Sequence, residues 1–178
     1  INAVARETTV VLDVKELLAK ACRKIREAFD VSQVTMLVKE DEDLKLQAHH
    51  GNLTLRIPEG GKVPAGAGLW GRALRESKTV IENEGEADPD CVGIYLESVA
   101  RMCIPLVSFG QTLGVLVLDS ARPDSFLASD IQSLESVADI CATAIQNAHY
   151  VERVKHLAYL DGLTGIFNRR YFELRIQE

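Results

Sequence analysis

Glycines, histidines and cysteines are the residues in this chain best spaced to do chemistry. Gly66-Ala67-Gly68-Leu69-Trp70-Gly71 fits the pattern G-x-G-x-x-G, in which glycines let a backbone approach a pyrophosphate at a helix N-terminus. That use requires a buried strand directly before it and a crossover to a parallel strand after it, whereas the preceding Glu59-Gly60-Gly61-Lys62-Val63-Pro64 reads as loop. The glycines are therefore expected to permit tight entry into a short helix, whose free N–H groups would still suit an anion. His49 and His50 are adjacent, and successive strand residues face opposite ways, so they do not share a metal ion. They read as surface or hairpin-end residues, with a single haem-ligating histidine as the narrower alternative. Cys22, Cys103 and Cys141 sit in apolar runs and read as reduced core residues, with no C-x-x-C spacing anywhere. Cys91 differs, because it follows Asp88-Pro89-Asp90 in a loop, where a thiol has less packing reason to be.

The elements that must hold these residues follow from periodicity. Val11, Val14, Leu18, Ala21, Ile25 and Ala28 recur at helical spacing over Val10 to Phe29. Val34 to Val38 and Leu44 to Ala48 read as antiparallel strands joined by the acidic loop Glu40 to Asp43. A short helix over Leu69 to Glu76 and a strand over Thr79 to Ile81 follow, then an acidic loop over Glu84 to Asp90. Arg101 to Ser108 and Leu113 to Asp119 form a hairpin around Phe109-Gly110-Gln111-Thr112, and a long helix from about Ser129 to Leu160 closes the unit. With 47% hydrophobic and 26% charged residues, the chain can bury a substantial core. A net charge of -6 and the absence of a basic stripe argue against nucleic acid as a partner. Apolar stretches such as Gly114 to Leu118 are far shorter than the roughly 20 residues that span a bilayer. A cytoplasmic location is expected, with upstream sequence removed and any membrane tether lost with it, since the chain opens Ile1-Asn2-Ala3.

The closing residues, Leu160-Asp161-Gly162-Leu163-Thr164-Gly165-Ile166-Phe167-Asn168-Arg169-Arg170-Tyr171-Phe172, are turn chemistry leading into a helix. This segment resembles the opening motif of GGDEF domains, the diguanylate cyclases, D-x-L-T-G-L-x-N-R-R-x-F. Asp161, Leu163, Thr164, Gly165, Asn168, Arg169, Arg170 and Phe172 match it, and Ile166 departs conservatively. The resemblance implies a parent enzyme that joins two GTP into cyclic di-GMP with a divalent metal such as Mg. The fragment itself would hold no cofactor, no metal and no catalytic residue, because that family's metal-binding acidic residues lie downstream of the motif.

The element order over Asp13 to Val151 resembles GAF sensor domains. The matching pieces are Val63 to Gly71, Ile104-Pro105-Leu106 with Gly110 and Gly114-Val115-Leu116, and Phe126 with Asp130, Leu134, Ala138 and Ala144 to Ala148. The resemblance implies an α+β fold: a central antiparallel sheet of about six strands, terminal helices together on one face, and a ligand pocket on the other. Its expected ligand contacts here are Trp70, Cys91, Tyr95, Arg101 and Cys103. Related photoreceptors attach a bilin through a loop cysteine followed by histidine, but Val92 follows Cys91. Some GAF-fold proteins are free methionine sulfoxide reductases, and Cys91 and Cys103 would take the attacking and resolving roles in that alternative. The N-K-F-D-E motif of cyclic-nucleotide-binding members is absent. The expected division is a linker over 1–12, the sensor over 13–150, a helical linker over 151–160 and the start of a GGDEF domain over 161–178.

The last helix carries two apolar stripes. Leu127, Ile131, Leu134, Ala138, Cys141, Ile145 and Ala148 suit packing on the domain itself, while Val137, Ile140, Ala144, Asn147, Val151, Val154 and Ala158 run about 100° around. The second stripe is expected to pair with its twin in a parallel homodimer, Asn147 fixing register; the alternative is one broad intramolecular face. The helix would then act as a rod from the ligand pocket to a joint at Asp161, Thr164, Asn168, Arg169 and Arg170. A domain that has lost its ligand and serves only to dimerise is the remaining alternative.

Overall fold

The structure is a computed structural model and describes residues 2–83, 93–159, 166 and 168. Helix α1 (Asn2–Ala28) leads into β1 (Gln33–Glu40), β2 (Asp43–Gly51) and β3 (Lys62–Pro64). Helix α2 (Gly68–Glu76), β4 (Val80–Glu82), β5 (Ala100–Ser108), β6 (Gln111–Ser120) and helix α3 (Ala128–Tyr159) follow. The strands form one six-stranded sheet in the order β3-β2-β1-β6-β5-β4, and each pairing among them is antiparallel. The fold is the expected α+β arrangement, with α1 and α3 together on one face of the sheet and α2 on the other.

Each face carries its own core. On the helical face Leu18, Cys22 and Ile25 of α1 and Leu134, Ala138, Cys141, Ala142 and Ile145 of α3 pack on Val34, Met36, Met102, Ile104, Leu116 and Leu118. On the opposite face Leu69, Trp70 and Ala73 of α2 pack with Leu37, Leu44, Val80, Cys103, Val115 and Val117. Strands β1, β5 and β6 are therefore buried on both sides, which is why their sequences read as continuous apolar runs rather than as an alternation.

The acidic turn is tighter than the sequence suggests. Glu40 and Asp43 belong to the strands, and Asp41 takes a positive φ of 58° between them. The second hairpin also turns on two residues, Phe109 and Gly110, both at positive φ, as a type I′ turn requires; Gln111 and Thr112 join β6. Strand β3 corrects the reading of 59–64 as loop, since Lys62–Pro64 pairs with Asp43–Lys45. It gives little sequence signal, being three residues long with only Val63 buried. This edge strand is antiparallel, so the requirements of a dinucleotide fingerprint remain unmet.

Two bulges set the register. Gln47 is the extra residue opposite Met36 and Leu37, and Leu113 is the extra residue opposite Leu106 and Val107. Beside the second bulge, Gly114 lies so close to β1 that an added Cβ would collide with the Leu37 carbonyl and the Val38 Cα. Both obstacles are backbone, which cannot move aside without parting two central strands. Gly114→Ala is therefore expected to destabilise the domain by at least roughly 1–3 kcal/mol, read as a lower midpoint in urea unfolding; an unchanged midpoint would show that the β1–β6 spacing is soft.

Candidate functional site

The face that carries α2 changes character toward one end of the sheet. Directly paired residues share a face, and Gln33↔Asp119, Arg101↔Asp119 and Glu82↔Arg101 place Gln33, Asp119, Arg101 and Glu82 in one row across four strands. The next row, His49, Thr35, Val117, Cys103 and Val80, lies on the same face. Below it the face is apolar, with Leu37 and Val115. Tyr95, in the segment leading to β5, reaches onto this polar end, and Trp70 of α2 stands beside it.

The hydrogen bonds here are directional and fix one another. Leu53 N–H donates to Gln33 Oε1, so Gln33 Nε2 must be the donor to both His49 Nδ1 at 3.1 Å and Tyr95 Oη at 3.1 Å. His49 then carries its proton on Nε2, which donates to Glu59 Oε1 at 2.7 Å. The Tyr95 hydroxyl, accepting from Gln33, also shares a hydrogen bond with Thr35 Oγ1 at 2.9 Å. Burial pushes the Tyr95 pKa up to about 12, against the lowering effect of the Thr35 bond.

Arg101 and Asp119 form a buried ion pair, Nε to Oδ1 at 2.7 Å, with side-chain exposures of 7% and 0%. Ser98 Oγ donates to the same Oδ1. The guanidinium carbon lies 5.6 Å from the centroid of the Trp70 ring, within cation–π range. The Trp70 indole N–H donates to the Pro64 carbonyl at 3.0 Å, so this residue offers the site only its face.

Four of the five expected ligand contacts, Trp70, Tyr95, Arg101 and Cys103, thus gather on one buried face, and Cys91 lies outside the described residues. Asp119, Gln33, Thr35 and Ser98 belong to the same cluster and were not anticipated. Counting outward from the turn at Phe109-Gly110 pairs Arg101 with Leu118; only the bulge at Leu113 moves the pairing to Asp119. His49 faces the cluster, whereas His50 is paired with Val34 on the helical face. Within the G-x-G-x-x-G run Gly71 has a packing role, since a Cβ there would strike the Gly66 backbone, and Gly68 takes a positive φ of 47° at the helix start.

Cys22 and Cys141 lie in the helical-face core. Burial raises the Cys22 thiol from its ordinary value of 9.0 to about 12, with the neighbouring Cys141 adding to the shift, and burial raises Cys141 to about 11. Neither is a nucleophile at neutral pH.

The two stripes of the last helix differ in burial. Leu134, Ala138, Cys141 and Ile145 are buried, joined by Ala142 and Gln146, while Leu127 precedes the helix and is exposed. On the second stripe Val137 packs against the core, but Ile140 and Val154 are each 65% exposed, Val151 is 37% exposed, and Asn147 and Ala158 are also exposed. The stripes do not merge into one intramolecular face. At the helix end Asn168 N–H donates to the Tyr159 carbonyl at 2.7 Å and its Nδ2 to the Ala158 carbonyl at 2.8 Å. Asp161, Thr164, Arg169 and Arg170 lie outside the described residues.

A curved antiparallel sheet with paired terminal helices on one side and a partly polar, helix-covered face on the other defines an α+β domain of known kind. Residues 11–146 match the family model of the GAF domain, and the chain belongs to that family. The curated relatives include the formate hydrogenlyase transcriptional activator of Salmonella typhimurium strain LT2, 22% identical over 158 residues, or 82% of this chain. The match spans only 22% of that relative's length. Among solved structures, free methionine-R-sulfoxide reductase from Neisseria meningitidis, determined in complex with its substrate, is 26% identical with a TM-score of 0.68, over 82% of this chain and 86% of that one. The GAF domain of a phosphoenolpyruvate-protein phosphotransferase from Coxiella burnetii is 17% identical with a TM-score of 0.70, over 84% and 94% respectively. Among the described residues, no helix is long and apolar enough to cross a membrane.

Two outcomes check this chemistry. Arg101→Leu leaves the Asp119 charge buried without its partner, and urea unfolding should show a loss of about 3–5 kcal/mol; a loss under 1 kcal/mol would mean the pair is solvated. Because the folded state keeps the Cys22 and Cys141 protons at pH values where an unfolded thiol has lost its own, their contribution to stability should be constant below about pH 9 and fall between pH 9 and about 12. Urea midpoints across that range test the sign, and the fall should be shallower in Cys22→Ala.

Proposed function

We propose that this chain is the regulatory sensor module of a diguanylate cyclase. In this reading residues 13–150 bind a small ligand, residues 151–160 link helically, and residues 161–178 open a GGDEF domain that condenses two GTP with Mg. The expected ligand contacts are Trp70, Cys91, Tyr95, Arg101 and Cys103, now joined by Asp119. Membership of the GAF family supports the sensing half, and the motif from Asp161 to Phe172 supports the cyclase half.

One observation carries the proposal. Helix α3 runs unbroken from Ala128 to Tyr159, beginning as a core-packed helix and ending as one with an exposed apolar seam. Asn168 of the motif closes back onto its last carbonyls. A second copy of the chain covers the seam, and Asn147 sits within it. Each protomer then delivers its GGDEF domain to the same end of a two-helix rod, where two GTP-loaded sites meet. Ligand binding acts through its differential affinity for two arrangements of that rod.

The reductase reading is the second one, favoured by the likeness to the Neisseria meningitidis enzyme. Against it, Cys103 has no exposed surface. Assaying methionine sulfoxide reduction with Cys91→Ser as control separates the two, since the sensor reading expects no turnover.

The dimer is tested by sedimentation. Ile140→Glu with Val154→Glu should convert a dimer to a monomer while leaving the thermal midpoint within a few degrees, because both side chains are mostly exposed in the protomer. In a chain carrying its complete GGDEF domain, Asn147→Leu or one residue inserted after Val154 should change cyclic di-GMP output. A wild-type monomer, or unchanged output in both variants, would sink the rod.

A further inference from the structure

Among the described residues two buried side-chain oxygens have no hydrogen-bond partner, Asp119 Oδ2 and Gln146 Oε1. Gln146 is a neutral amide on α3. Asp119 is a carboxylate with no exposed surface, and a buried charged acceptor without a donor is the more unfavourable of the two. Its other oxygen is well satisfied by Arg101 Nε and Ser98 Oγ. The nearby amide on the row is committed elsewhere: the Leu53 N–H bond directs Gln33 Nε2 toward His49 and Tyr95, and the Tyr95 hydroxyl is itself hydrogen-bonded to Thr35. The chain has thus built one half of a charge-assisted contact and directed the Gln33 amide away from the other half.

We infer that Asp119 Oδ2 is the anchor for a small molecule bearing a primary ammonium group. This rests on the reading of the domain as a ligand sensor and narrows it to a chemical class. Charge selects the headgroup. The row holds two carboxylates, Asp119 and Glu82, against one guanidinium, Arg101, so a cationic donor balances it and an anionic group does not. The ligand body lies toward the apolar part of the face, against the Trp70 ring, whose N–H is already held by Pro64. Asp119 is here a binding residue with two faces, one fixed by Arg101 and Ser98, the other left for the ligand.

The probes are isoamylamine, isoamyl alcohol and isovalerate, of nearly equal size and differing in headgroup charge, titrated into the whole chain by calorimetry or saturation-transfer NMR. The amine is expected to bind at least tenfold more tightly than the alcohol or the acid. Asp119→Asn, which keeps an acceptor for Arg101 and Ser98, is expected to abolish that preference. Equal binding of amine and acid, no binding of the amine to the wild-type chain, or an undiminished preference in a folded Asp119→Asn variant would each overturn the assignment; if that variant does not fold, the three-probe comparison on the wild type decides alone. Native mass spectrometry separates this failure from that of the sensor reading. A co-purified ligand with no amine leaves the sensor standing and removes the ammonium site, whereas an empty chain that takes none of the probes removes both.

Discussion

Asp119 can lie at zero exposure only because Arg101 reaches it from the adjacent strand, and much of the α2-side face is arranged around that ion pair. Removing two charges from water is unfavourable, and their attraction offsets it only with good geometry and further hydrogen bonds. Ser98 supplies one such bond, and Trp70 lays its ring beside the guanidinium. The pair therefore ties together β5, β6, the segment before β5 and α2. A patch that tightly specified holds its groups in one orientation.

The pair can form only because the middle of the sheet is enclosed on both sides. Strands β1, β5 and β6 have the terminal helices on one face and α2 on the other, so each residue along them is assigned to one of two cores. The helical-face core is mainly apolar, with Gln146 and Ser120 buried at its margin, and it joins α3 to the sheet over roughly the first half of that helix. The second half leaves the sheet with its apolar seam uncovered. A single helix thus belongs to the domain at one end and is available to a partner at the other, which is the geometry that coupling between a pocket and a distant output needs.

What the sequence disclosed was what local periodicity encodes. The apolar runs of β1, β5 and β6, the helical spacing of Leu18, Cys22 and Ile25, and the first stripe of α3 from Leu134 to Ile145 were legible because burial repeats along them. Strand β3 was not, since Val63 alone carries its signal between glycines and a proline. Leu127 looked like the first member of the buried stripe, but the helix starts after it. The candidate site was half legible: Trp70, Tyr95, Arg101 and Cys103 came from resemblance, whereas Asp119 looked like the plain end of a strand. Its partnership with Arg101 depends on an irregularity, the bulge at Leu113, that no alternation of residue types announces.

That bulge imposes a parity on the chain. On the turn side of Leu113 the two strands of the hairpin match in one phase, and beyond it in the other, so a single residue decides whether the far end of β6 shows Asp119 or Leu118 to the face that carries Trp70. Losing one residue there would turn an ion pair into the helical core and a leucine into the polar row. Length changes inside a paired strand shift every pairing beyond them, whereas those in a connection between strands leave both registers as they are, so the hairpin of β5 and β6 is the part of this domain least able to gain or lose a residue.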